Sequence, residues 1–227
     1  MSTVGPQKLR IDVGKVARVS ALLLQPPDAR ACYVFAHGAG AGMDHAFMAE
    51  AAAGLAARKI ATLRYQFPYM EKAGKRPDPP AIAQAAVRAA VGEAAGACPG
   101  LPLFAGGKSF GGRMTSQAQA KAPLAGVRGL VFFGFPLHAA GKPSRERADH
   151  LSDVRIPMLF LQGTNDKLAE LDLLAPVVAK LGDRAVLHRV ESADHSFHVP
   201  ARSGRNDAAV MAEILDRCAA WIDSMRN

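Results

Sequence analysis

Leu101-Pro102-Leu103-Phe104-Ala105-Gly106-Gly107-Lys108-Ser109-Phe110-Gly111-Gly112 sets a short apolar run against a turn of small residues that opens onto a helical pattern, Phe110 to Lys121. A strand is expected at Leu101 to Ala105. The Gly107-x-Ser109-x-Gly111 spacing holds a serine on a sharp strand-to-helix turn. Its hydroxyl then projects from the sheet, with glycine on either side where a Cβ would clash. The helix N-terminus beside it favours developing negative charge. By itself the pattern also suits a Gly-rich turn with a capping serine. Gly107-Lys108-Ser109 also resembles the end of a phosphate-binding G-x-x-x-x-G-K-[ST] loop. There, however, the first glycine position is Pro102, and the loop is too short to wrap a phosphate.

Working outward, the same alternation of apolar run and longer Ala-rich segment repeats from residue 31 onward, which is the pattern of a parallel sheet with crossover helices. Strands are expected at Cys32–Ala36, Ala61–Tyr65, Gly129–Phe133, Met158–Gln162 and Ala185–Val190. Several are nearly all apolar, as strands covered on both faces should be. Helices are expected at His45–Arg58, Pro80–Ala95, Phe110–Lys121, Leu168–Leu181 and Asn206–Met225, the last burying Val210, Ile214, Cys218 and Trp221 at helical spacing. Leu9–Val13 and Val16–Leu24 flank Gly14-Lys15 and read as a hairpin that adds antiparallel strands to one sheet edge. Gln66–Pro79 and Phe135–Ser152 read as loops, and loops beyond the carboxyl ends of parallel strands form the binding face of such sheets. No internal repeat or linker divides the chain, so residues 1–227 are expected to form one domain of class α/β.

Composition narrows the function classes. The 227 residues are 49% hydrophobic and 21% charged, with 28 Lys plus Arg against 20 Asp plus Glu, a formal +8. That balance excludes intrinsic disorder, collagen-like and coiled-coil chains. The basic residues are scattered rather than gathered in a run, which argues against nucleic acid as partner. Cys32, Cys98 and Cys218 show neither disulfide-framework nor metal-ligand spacing, so no metal is expected and the thiols point to the cytoplasm. Cys98 lies outside every motif and reads as a packed thiol. The stretch from Ala94 to Gly107 is uncharged but is broken by Pro99, Gly100 and Pro102, short of the roughly 18 apolar residues a membrane span needs. Met1 to Lys8 has no apolar run behind its first basic residue, which speaks against a signal peptide.

Three further stretches supply the partners an activated serine needs. Ala36-His37-Gly38-Ala39-Gly40-Ala41-Gly42 follows a strand, and its small residues let backbone N–H groups approach a substrate oxygen. The N–H groups of Ala39 and Phe110 are the expected oxyanion donors. Asp166, in Leu161-Gln162-Gly163-Thr164-Asn165-Asp166, is an acidic residue just past a strand, placed to orient a histidine. It could equally cap the helix ahead of Leu168. Ser192-Ala193-Asp194-His195-Ser196-Phe197-His198 offers two histidines, of which His195 is favoured over His198 as base. Asp194 is an alternative acid to Asp166.

The order Ser109, Asp166, His195 resembles the α/β-hydrolase superfamily over roughly the whole chain. More narrowly, His37-Gly38-Ala39-Gly40, Gln66-Phe67-Pro68-Tyr69-Met70, Gly107 to Gly112, Phe135-Pro136-Leu137-His138 and Ala193 to Phe197 look like a small cap-less branch. That branch is similar to the dienelactone hydrolases and to bacterial hydrolases of unassigned substrate. It also takes in hydrolase-like domains of eukaryotic chromatin-associated proteins, some of them binding scaffolds. The resemblance implies an α/β-hydrolase fold with a mostly parallel sheet, an N-terminal antiparallel hairpin and no cap. It also implies a serine hydrolase of a small ester, thioester or lactone that needs no cofactor. Dienelactone hydrolases proper carry cysteine where this chain has Ser109. His37, Phe67, Tyr69, Met70, Phe135, Leu137 and His138 are candidate substrate-binding residues. Lys72, Lys75, Arg76, Lys142, Arg145 and Arg147, in the same loops, could attract a carboxylate. The alternative function is a non-catalytic hydrolase-fold module that binds a partner.

Overall fold

A computed structural model describes residues 5–225; Met1 to Val4, read above for a leader, lie outside the described residues. Eight strands form one sheet in the order β1-β2-β4-β3-β5-β6-β7-β8. They are β1 Gln7–Asp12, β2 Arg18–Leu24, β3 Ala31–Ala36, β4 Ile60–Tyr65, β5 Leu103–Lys108, β6 Val127–Phe133, β7 Met158–Gly163 and β8 Ala185–Val190. β1 and β2 form the antiparallel hairpin, β2 joins β4 antiparallel, and every pair from β4 onward is parallel.

The helices are α1 Ala46–Ala57, α2 Pro68–Glu71, α3 Pro80–Ala97, α4 Phe110–Lys121, α5 Leu171–Lys180 and α6 Asp207–Ser224. Strand side chains alternate between two separate cores. Cys32, Val34, Leu130, Phe132, Met158 and Phe160 join Val87, Met114 and Leu174 on the α3, α4 and α5 side. Tyr33, Phe35, Val131, Phe133, Leu159 and Leu161 join Leu55 and Trp221 on the α1 and α6 side. This two-sided burial is the physical reason the central strands are almost uniformly apolar.

Three local expectations are corrected. The strand expected at Leu101–Ala105 runs instead from Leu103 to Lys108. Pro102 has no N–H to give a ladder, although its carbonyl accepts from Cys32 N at 3.0 Å. Gly106, Gly107 and Lys108 stay in register with Val131, Phe132 and Phe133, so the strand is carried to the edge of Ser109. The loops Gln66–Pro79 and Phe135–Ser152 are not structureless: the first holds α2, started by Pro68, and a 3₁₀ helix at Glu146–Asp153 buries Ala148 and Leu151. Finally, α5 starts at Leu171, because Leu168 and Ala169 are folded back onto Asp166 by hydrogen bonds of 2.8 and 3.3 Å.

Candidate active site

Ser109 sits between β5 and α4 with φ 50° and ψ −117°, a conformation that strains a residue bearing a side chain by about 1–3 kcal/mol. Two bonds hold it: Ser109 N donates to Phe133 O at 3.2 Å, and Arg113 N donates to Ser109 O at 3.1 Å. Its glycine neighbours are fixed by close approach. A Cβ on Gly107 would lie 2.4 Å from Ala36 O, and one on Gly111 would lie 2.6 Å from both Ala36 O and His37 O.

Opposite the serine, His195 Nε2 lies 2.8 Å from Ser109 Oγ, and Nδ1 of the same ring lies 2.6 Å from Asp166 Oδ2. A buried carboxylate only accepts, so Nδ1 carries the proton and Nε2 faces the hydroxyl as an acceptor. Asp166 is almost fully buried; its Oδ1 accepts from Leu168 N and its Oδ2 also accepts from Gln162 Nε2. Asp194 is turned elsewhere, with Oδ1 accepting from Ser196 N at 2.7 Å and His198 N at 3.0 Å. The His198 ring is exposed and paired with Asp207 at 2.8 Å.

The Gly-rich loop passes over the serine: a Cβ on Gly38 would be 3.8 Å from Ser109 Cβ. Among the described residues no acceptor takes the N–H of Ala39 or of Phe110. The loop is pinned from behind. His37 donates from Nδ1 to Gly38 O at 2.8 Å and accepts at Nε2 from Phe67 N at 3.0 Å. Tyr69 Oη accepts from Gly40 N at 3.1 Å, and Gln66 Oε1 accepts from Met43 N at 2.9 Å. Burial holds the His37 pKa down at about 4, which fits a neutral ring with both nitrogens engaged.

Two clefts flank Ser109 and share Ala39, Ser109 and Leu168. One, of about 370 Å³, is walled by Phe47, Met48, Lys108 and Ser196. The other, of about 490 Å³, is walled by Asp78, Phe110, Arg113, His138 and Arg147. The candidate substrate-binding residues divide accordingly. His138 reaches a cleft wall, whereas His37, Phe67, Phe135 and Leu137 are fully buried behind it and present no surface to a ligand. Tyr69 is nearly buried against the loop, and Met70 packs on the core. Of the six basic loop residues, only Arg147 lines either cleft beside Ser109.

Two residues escape a sequence reading. Gln162 is fully buried and bridges Asp166 to Phe135, whose N–H it accepts at 2.8 Å. A glutamine closing an apolar strand was the available signal. Lys108 Nζ donates to the His195 carbonyl while lying 5.6 Å from the Phe47 ring centroid and 5.1 Å from that of Phe197. Burial pulls its pKa down to about 8, against the opposing pull of Asp166 and Asp194.

This arrangement of sheet, turn and facing side chains defines an α/β hydrolase. The chain belongs to the alpha/beta hydrolase domain family, whose profile it matches over residues 29–223. It is similar in fold to a dienelactone hydrolase from Anabaena variabilis, at 19% identity over 98% of this chain and 99% of that one, TM-score 0.76. It is likewise similar to XC6422 from Xanthomonas campestris, described as a serine hydrolase without lid, at 20% identity over 97% of each chain, TM-score 0.74. An esterase domain from Rhodothermus marinus matches at 14% identity over 99% of this chain and all of that domain, TM-score 0.75. Among the described residues no helix is long and apolar enough to cross a membrane.

Proposed function

We propose that the chain is a serine hydrolase that cleaves a small carboxylic ester, thioester or lactone, with residues 1–227 acting as one catalytic unit. The observation that carries this reading is the continuous chain from Ser109 Oγ through both nitrogens of His195 to the buried carboxylate of Asp166. Ser109 Oγ attacks the carbonyl carbon as His195 Nε2 takes its proton, and Asp166 steadies the imidazolium. The resulting oxyanion is held by the N–H groups of Ala39 and Phe110. His195 then returns the proton to the departing alcohol or thiol, leaving Ser109 acylated. Water attacks that ester with His195 again as base, the acid departs and the serine hydroxyl is restored.

The esterase and dienelactone hydrolase among the structural neighbours point to the same bond type. Three buried cysteines, each a free thiol, support action in the cytoplasm. The experiment is intact-mass analysis after exposure to a fluorophosphonate, which modifies an activated serine. A single adduct that disappears in Ser109→Ala is expected. A folded, unlabelled native chain would overturn the reading and leave a non-catalytic binding module in its place.

A further inference from the structure

The larger cleft beside Ser109 contains two half-buried guanidiniums, Arg113 and Arg147. Arg113 lies one helical turn beyond Ser109 on α4 and stands 6.0 Å from the centroid of the Phe110 ring. Its Nε is buried without a hydrogen-bond partner. Burial and then the Arg147 charge both lower the Arg113 pKa, so the two cations feel each other across the cleft. Among the described residues no carboxylate forms an ion pair with either one. Asp78, in the same wall, is occupied by Tyr69 N at 2.9 Å.

Like charges held together on a partly desolvated wall, with Asp78 as the one opposing charge in the cleft lining, cost free energy, and an incoming anion would recover it. A guanidinium with a free N–H edge is the side chain best shaped to take an oxyanion. Resting on the hydrolase reading above, we infer that this cleft binds a carboxylate on the substrate, so that the preferred ester is a monoanion. The charge balance selects the monoanion: Arg113, Arg147 and Asp78 sum to 2 − 1 = +1, which suits one carboxylate better than a dianionic phosphate.

The test compares kcat/KM for ester pairs matched in size. A mono-aryl glutarate is set against the aryl pentanoate, and the butanoate of 3-hydroxybenzoate against phenyl butanoate, so that the charge sits on the acyl side or the alcohol side. The native chain should favour the anionic member of one pair by about tenfold or more. Arg113→Gln with Arg147→Gln should bring that ratio close to one, and added salt should shrink it. Arg147→Gln alone gives the same readout, at reduced size, if the double variant fails to fold. Ratios near one in the native chain, or unchanged in the variants, overturn the inference.

A second arm needs no turnover. Calorimetry of monophenyl glutarate with Ser109→Ala should show binding that Arg147→Gln weakens by about tenfold. Stronger displacement by inorganic phosphate than by the monoanion pentanoate would overturn the choice of carboxylate. Arginine-dependent binding in a chain that takes no fluorophosphonate would keep this site and discard the hydrolase reading. Labelling without charge preference would do the reverse.

Discussion

Lys108 Nζ donates a hydrogen bond to the backbone carbonyl of His195, tying the residue that precedes Ser109 to the residue that faces it. A Cβ placed on Gly134 would lie 3.0 Å from that nitrogen and 3.4 Å from the His195 ring, so the amine fills the space behind the histidine. The elbow strand thus fixes the serine and also steadies the loop that carries His195.

The same burial makes this lysine visible in pH. Its folded pKa of about 8 lies below the usual 10.5, so between those values the folded chain gives up a proton that the unfolded chain still holds, and stability gains with rising pH. In Lys108→Met that gain should vanish, shifting the difference in unfolding free energy by about 3 kcal/mol at most across pH 8 to 10.5 in urea titrations. Turnover of the variant should fall about tenfold or more at pH 7, with partial recovery in Lys108→Arg.

Gln162 should matter out of proportion to its distance from the serine. Gln162→Leu strips one donor from Asp166 and leaves the Phe135 N–H buried without an acceptor. A stability loss of about 1–3 kcal/mol in urea is expected, together with a fall in kcat that Gln162→Leu shares with no surface glutamine.

Asp166 and Asp194 are separable by substitution. Asp166→Asn should lower kcat by about four orders of magnitude, because the amide cannot hold His195 in the tautomer that accepts from Ser109. Asp194→Asn, whose side chain hydrogen-bonds to Ser196 N and His198 N and not to the His195 ring, should stay within about tenfold of the native chain. Similar losses in both would show that the turn, not the carboxylate pairing, sets activity.

Acid lability should trace to two histidines. Burial holds His37 at about 4, and burial followed by the Arg113 charge holds His150 at about 4, so both stay neutral when folded but accept protons near 6.5 when unfolded. As pH falls from 6.5 to 4 the unfolded chain binds more protons, and each histidine should lower stability by up to about 1.4 kcal/mol per pH unit. His150→Gln, which can still reach Ser116, should remove one of the two contributions; an unchanged slope of urea midpoint against pH would refute it.

Much of the fold is legible in the sequence because the signals are local. Alternating burial makes Val34, Phe132 and Phe160 apolar toward one helical layer and Phe35, Phe133 and Leu161 toward the other, and this yields continuous apolar runs. The Gln66–Met70 stretch carries no such local signal. Its aromatic and polar residues suit a pocket wall, yet Phe67 lends its N–H to His37 and Tyr69 its hydroxyl to Gly40. Side-chain type alone does not separate a residue that touches a ligand from one that braces the loop touching it.

Element order, the tight turn at Ser109 and an aspartate and a histidine just beyond later strands are all legible in the linear chain. These follow from hydrophobic period and from the few residue types that fit a strained turn. The folded arrangement puts Asp166, not Asp194, against the His195 ring, brings in Gln162 and Lys108, and sets Arg113 and Arg147 in one cleft. Ser109 and His195 are 86 positions apart and meet at 2.8 Å, through the parallel packing of β5 to β8. Such convergence depends on strand order and register, which no local spacing encodes.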